Sequence, residues 1–267
     1  MSVSLDRIVI VGLLVSPLVY VVVGVIVYAV RAMLGNAPVD AELARRGHSA
    51  LLGSTVRQGF AWAAGPLERL FAAGGASPDT LTMAGFAMCC LGAFTIGAGD
   101  LTVGGLLVLG SSGFDFLDGR VARRRGVANR GGEFLDSTLD RFSDALCFGA
   151  AAFLFRDSPW NLTAALVAFG AAGIVPYARA KAEALGSDLR SGLMQRPERL
   201  VLYSAASILS APLDGLWPAS LQGSYPTFAA MTWFIALATA ATAIARTREG
   251  LRLIRSAKGS DPNQRGI

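Results

Sequence analysis

Seven apolar runs separated by short polar connections set the pattern of this chain. The first covers residues 8–30, and six more cover 79–98, 101–122, 132–155, 160–185, 198–212 and 226–245. A run of about 20 apolar residues is what a helix needs to cross the hydrocarbon core of a bilayer. The pattern therefore predicts an all-α, polytopic membrane helical bundle, with six core transmembrane helices and one extra N-terminal transmembrane helix. Gly99-Asp100 leaves almost no room between the second and third runs, so these form a helical hairpin. Pro176 is expected to kink its helix, and Gly173 to let a neighbour approach. The first run is longer than the core of a secretory signal, and Asp6 stands beside Arg7 where a basic leader would be. It reads as a retained anchor.

Residues 31–78 break the pattern. Arg31, Arg45, Arg46, Arg57 and Arg69 alternate there with Leu51, Leu52, Phe60, Trp62, Leu67 and Phe71. Mixed basic and aromatic residues suit a segment lying on the membrane surface, and a solvated linker is the plainer alternative. The organisation is then a transmembrane anchor over 1–35, an interfacial cytoplasmic segment over 36–78, the six-helix unit over 79–245 and a basic tail over 246–267. With the N-terminus outside, seven crossings leave only Arg7 and Arg156 of the 24 basic residues on the outer side. That distribution satisfies the positive-inside rule and turns the connection after residue 122 towards the cytoplasm.

Composition narrows the class. Hydrophobic residues make up 53% of the chain and charged residues 16%, against about 25% charged in soluble domains. The net charge of +5 does not signal nucleic acid, because recurring apolar runs leave no soluble domain of useful size to bind it. Cys89, Cys90 and Cys147 all lie in apolar runs without C-x2-C spacing, and His48 is the one histidine. Neither a zinc site nor a disulfide framework is indicated, and the thiols read as small buried hydrophobes.

Four carboxylates interrupt this apolar background. Asp115 and Asp118 are spaced i,i+3 and Asp136 and Asp140 i,i+4, so each pair shares one helix face. A carboxylate at membrane depth costs roughly 2.5–3.5 kcal/mol on insertion scales, and four together repel. Divalent ions between the two faces offset both costs and serve phosphoryl chemistry. Oxygen ligands without histidine favour Mg²⁺ or Mn²⁺. The loop between the pairs reverses the chain, so antiparallel helices bring the two faces together. Gly119 and Ala122 leave room for a bulky group, although helix packing alone would also use them. Arg123 suits a phosphate, a carboxylate partner or an inside-facing anchor.

The full spacing, D-x2-D-G-x2-A-R-x8-G-x3-D-x3-D from Asp115 to Asp140, resembles the signature of the CDP-alcohol phosphotransferase family at every fixed position. The likeness covers roughly residues 66–245. It implies an integral enzyme of the cytoplasmic membrane that displaces CMP from CDP-diacylglycerol with the hydroxyl of a second alcohol. It further implies that Asp115, Asp118, Asp136 and Asp140 hold two divalent ions and the pyrophosphate, with Asp140 as general base. Asp118, Gly119, Ala122, Arg123, Thr82 and Asp136 would form the nucleotide pocket. Ser77 to Thr82 resembles the family's Pro-Asn-x-x-Thr helix start, with Asp79 where asparagine is usual; a simple helix cap at Ser77 and Pro78 needs no ligand. Asp144 extends the acidic face by a turn, either orienting the ligands or pairing with Arg141. The likeness also implies a homodimer.

The acceptor must be read from basic residues outside the motif. Arg179 and Lys181, in Tyr177-Ala178-Arg179-Ala180-Lys181-Ala182-Glu183, and the pair Arg196 and Arg199 suit an acceptor carrying a phosphate. They resemble the phosphatidylinositol phosphate synthase branch, which implies inositol 1-phosphate as acceptor, with arginine and lysine exchanged at 179 and 181. Glycerol 3-phosphate is the alternative, and inside-facing anchors the plainer reading of the same residues. From a different class, a cation-coupled transporter would place its carboxylates near the midplane and carry inverted repeats. Neither feature is visible in the sequence.

Overall fold

A computed structural model describes residues 5–40, 43, 53–189, 192, 194–221 and 223–259. Arg45, Arg46, His48, Leu51 and Leu52 of the interfacial segment lie outside the described residues, as does the tail from 260. The described chain is helical: α1 (Leu5–Met33), α2 (Gly53–Ala73), α3 (Pro78–Gly97), α4 (Leu101–Arg124), α5 (Arg130–Leu154), α6 (Pro159–Ala184), α7 (Arg196–Leu213), a 3₁₀ turn at Asp214–Leu216 and α8 (Pro226–Gly259).

Local chemistry explains most of these boundaries. Pro78, Pro159 and Pro197 sit in the first turns of α3, α6 and α7, where a missing N–H costs nothing. Asp100 caps α4 by accepting from Val103 N, and Asn129 caps α5 by accepting from Gly132 N at 2.9 Å. Ser77 precedes α3 without making a side-chain cap bond. Gly126, at φ +68°, ends α4: its N–H donates to Arg123 O at 3.1 Å and Val127 N to Ala122 O at 3.0 Å. That closure and the Asn129 cap together reverse the chain between the two carboxylate pairs.

Five of these helices are long and apolar enough to cross a membrane: Val9–Met33, Pro78–Gly97, Leu101–Arg124, Pro159–Ala184 and Pro226–Ser256. Helix α5 misses that standard because Asp136, Asp140, Arg141 and Asp144 interrupt it. Helix α7 is 18 residues long and opens with Arg196, Glu198 and Arg199. The last helix continues past 245 to Gly259, because arginine, glutamate and leucine sustain a helix after the apolar run stops. Helix α6 runs unbroken through Pro176. No described atom lies within 4 Å of a Cβ placed on Gly173, so among the described residues no helix approaches this glycine.

Close approaches occur elsewhere. A Cβ on Gly104 would stand 2.5 Å from Ile96 Cγ1 and 2.7 Å from Gly92 O, so α3 and α4 touch backbone to backbone. Gly105 gives α7 the same access, 2.7 Å from Ser207 Cβ. The core behind these contacts joins α3, α5, α7 and α8 through Cys89, Ile96, Phe148, Tyr203, Phe228 and Ile235. Tyr203 closes it by donating its hydroxyl to Cys147 O at 2.5 Å. Cys89 and Cys147 are buried free thiols 3.7 Å apart, and Cys90 is half-buried.

The N-terminal pair forms a separate layer. Helix α1 packs on α2 at Gly24–Ala63 and Gly59–Tyr28, and Tyr20 donates to Ala63 O at 3.0 Å. Helix α2 then meets α4, with Phe60 edge-on to Phe116 at 4.7 Å.

Replacing Gly104 with alanine should force α3 and α4 apart. The expected cost is about 1–3 kcal/mol, the range for overpacking a filled contact, read as a lowered thermal midpoint of the detergent-solubilised protein. Gly149, where a Cβ meets nothing within 4 Å, should accept alanine without that loss.

Candidate active site

Four helices deliver the polar groups. Helix α3 brings Thr82, α4 brings Asp115 and Asp118, α5 brings Asp136, Asp140 and Asp144, and α7 brings Arg196 and Arg199. One carboxylate oxygen from each of Asp115, Asp136 and Asp140 lies within 4.8 Å of the others. All three residues are half-buried. Three oxygen donors at that separation, drawn from facing helices, fit a hard divalent cation.

Asp118 stands apart from this trio. It is buried, its Oδ2 accepts from Thr82 Oγ1 at 2.6 Å and its Oδ1 from Gly119 N at 2.5 Å. Gly85 permits the approach that makes this possible. A Cβ there would come within 2.9 Å of Phe114 Cβ and 3.3 Å of Asp115 Oδ1, so α3 lies directly against the acidic face of α4.

The arginines of α7 answer the acidic charge. Arg196 Nη1 sits 2.5 Å from Asp115 Oδ2 and 2.7 Å from Asp140 Oδ1, bridging α4 to α5. Arg199, 2% exposed, donates from Nη2 to Asp144 Oδ2 at 2.7 Å. Arg141 Nη1 lies 3.7 Å from Asp140 Oδ2 and donates to Ser137 O at 2.8 Å. Two buried guanidinium atoms, Arg196 Nε and Arg199 Nε, have no hydrogen-bond partner among the described residues, although Arg196 Nε lies 4.0 Å from Asp144 Oδ1.

The remaining sequence candidates divide. Gly119 and Ala122 share the face of Asp115 on α4, and a Cβ on Gly119 would stand 3.2 Å from Arg123 Nη1, so the Arg123 side chain folds back over that glycine. Arg179 and Lys181 are exposed, and Arg179 Nε pairs with Glu183 Oε1 at 2.8 Å. Neither makes a described contact with the acidic trio. Asp144, left outside the ligand set on sequence, is an anchor for Arg199; its i+4 spacing from Asp140 was the signal. Arg246 was also missed. It is 6% exposed and donates to Val175 O at 3.1 Å, yet as the first basic residue after an apolar run it looks like a tail anchor.

Residues 76–247 match the family described as CDP-alcohol phosphatidyltransferase. The chain belongs to that family. It is therefore a transferase and a membrane protein of a family that uses divalent metals, and its acidic cluster could hold such an ion. This phosphatidyltransferase is 35% identical over 167 residues to the phosphatidylinositol phosphate synthase of Mycobacteroides abscessus, covering 61% of this chain and 76% of the relative. It is 38% identical over 131 residues to the archaetidylinositol phosphate synthase of Methanothermobacter thermautotrophicus, covering 49% and 65%. Among solved structures it resembles the Mycobacterium tuberculosis phosphatidylinositol phosphate synthase with CDP-DAG bound. There the TM-score is 0.59 at 30% identity, over 71% of this chain and 92% of that one. The same enzyme in complex with manganese and citrate gives a TM-score of 0.61 at 30% identity, over 70% and 88%.

Arg196 is mostly buried between two carboxylates, so removing it leaves like charges facing one another. Replacing Arg196 with glutamine should lower the stability of the EDTA-treated protein by about 3 kcal/mol, the scale for breaking a buried ion pair from one side. Added Mn²⁺ should recover most of that loss, followed as the thermal midpoint across a metal titration.

Proposed function

We propose that this phosphatidyltransferase moves the phosphatidyl group of CDP-diacylglycerol to a small phosphorylated alcohol, inositol 1-phosphate, releasing CMP. The observation that carries the reading is the pair Arg196 and Arg199. Arg196 is half-buried between Asp115 and Asp140, Arg199 is buried against Asp144, and the Nε of each has no hydrogen-bond partner among the described residues. A buried cationic donor without a partner is costly, and a phosphate on the acceptor would complete both. The inositol phosphate synthases named among the relatives point to the same acceptor class.

Asp115, Asp136 and Asp140, with Asp118 beside them, are the residues that would hold two Mg²⁺ or Mn²⁺ ions. When bound, such ions spread the pyrophosphate's negative charge and make CMP a better leaving group. Thr82, by bonding Asp118, fixes the orientation of that carboxylate. Gly119 and Ala122 leave the backbone open to the nucleotide, and Arg123 supplies a cation to its phosphates. Asp140 accepts the proton of the acceptor hydroxyl. The acceptor oxygen then bonds to the lipid-bearing phosphorus as the anhydride bond to CMP breaks. Arg179 and Lys181, exposed on α6, make no described contact with the trio.

The reading places six core transmembrane helices, α3 to α8, in the cytoplasmic membrane, with α1 as a seventh and α2 as the interfacial segment. The N-terminus is then outside, and the acidic site opens to the cytoplasm, where soluble acceptors are found. A homodimer is the assembly that the family resemblance suggests.

Purified protein given CDP-diacylglycerol and Mn²⁺ should release CMP with inositol 1-phosphate and not with free inositol or serine. Release with glycerol 3-phosphate alone would reassign the acceptor while keeping the arginine pair. Release only with an unphosphorylated alcohol would sink that pair's role. Asp140→Asn should lower kcat by about 10²–10⁴, the contribution expected of a general base.

A further inference from the structure

Glu68 is a buried carboxylate on α2, 6% exposed, and it lies outside residues 76–247 that match the family. Its two oxygens are both taken: Oε2 accepts from Arg120 Nε at 2.7 Å and Oε1 from Arg124 Nη1 at 3.0 Å. Asp40 adds a second anion, 2.8 Å from Arg120 Nη1. Asp40 is itself held to α2, its N–H donating to Gln58 Oε1 at 2.8 Å. Burial pushes the Glu68 carboxyl up, but the hydrogen bonds and charges of Arg120 and Arg124 outweigh it and hold it below the ordinary glutamate range. The clamp is therefore ionised at neutral pH.

What it clamps is the last turn of α4, the turn that ends the nucleotide half of the motif. At about 100° per residue, Asp115, Gly119 and Ala122 share one face of α4, while Phe116, Arg120 and Arg124 share the face turned to α2. Arg123 falls between the two faces. It folds over Gly119 on one side and, with Glu68, Arg120 and Arg124, lines a cleft of about 300 Å³ on the other. Three arginines thus crowd little more than one helical turn, and like charges at i,i+4 open such a turn.

We propose that Glu68 is a positioning residue for the nucleotide half of the reaction: by occupying Arg120 and Arg124 it keeps the end of α4 closed and Arg123 seated beside Gly119. The N-terminal layer is then a brace for the active site as well as an anchor. This rests on the CDP-lipid reading above. With Glu68 gone, Arg120 and Arg124 repel Arg123 and each other, the turn loosens, and Arg123 leaves its place.

A double-mutant cycle tests this. Wild type, Glu68→Gln, Arg123→Ala and the double variant are each titrated with CDP-diacylglycerol in detergent with Mn²⁺, with heat as the readout. Glu68→Gln should weaken binding about tenfold, and should add nothing in the Arg123→Ala background. A purely structural role would lower the thermal midpoint and leave affinity intact, or add its full effect to that of Arg123→Ala; either result overturns the proposal. If Glu68→Gln does not fold, Glu68→Asp, whose shorter side chain cannot reach both Arg120 and Arg124, replaces it. A loss of about threefold, absent with Arg123→Ala, is then expected, and unchanged affinity overturns the proposal. Wild-type protein that binds no CDP-diacylglycerol overturns the functional reading itself.

Discussion

A carboxylate buried inside this bundle is costly unless it meets a cation or a hydrogen-bond donor, because the apolar interior solvates it poorly. That single requirement organises the centre of the molecule. Arg196 draws α7 against α4 and α5, Arg199 seats on Asp144, and Thr82 ties α3 to Asp118. None of these links is local in sequence. The acidic motif therefore does structural work before any ligand arrives, since the groups that would hold metal and substrate are also those that bring four helices into register.

Small residues make that register possible. Gly85, Gly92, Gly104 and Gly105 remove side chains where α3 meets α4 and α4 meets α7, so polar side chains a turn or two away can reach one another. Long side chains at these positions would widen the interhelical gap beyond hydrogen-bond range, leaving charges uncompensated. Packing and electrostatics are thus one problem here.

Five of the helical spans were legible because twenty apolar residues have few other uses, and the short turn after α3 was legible from Gly99-Asp100. The ends of α8 and α2 were not. Hydropathy reports where the membrane environment stops, and both helices continue on propensity and packing where it is silent. The aspartates were legible as a set from their spacing. Their division was hidden: Asp118 turns to Thr82, while Asp115, Asp136 and Asp140 form the trio. That split depends on which helix lies behind α4. The same holds for Arg196 and Arg199, read as acceptor groups and found on carboxylates, and for Arg179, which pairs along its own helix. Glu68 had no visible role, because its partners lie more than fifty residues away.

The tight α3–α4 turn carries a mechanical consequence. Seventeen residues separate Gly99 from Thr82, and at 1.5 Å per residue the helix between them is about 26 Å long. With the turn as pivot, a tilt of one degree between the two helices displaces the Thr82 end by about half an ångström. Displacements near 1 Å can cost an active site about a hundredfold in rate. Gly99, held at φ +94° beneath Tyr225, is therefore a fulcrum: a change of side chain at the opposite end of the bundle is geared up along the lever before it reaches Asp118.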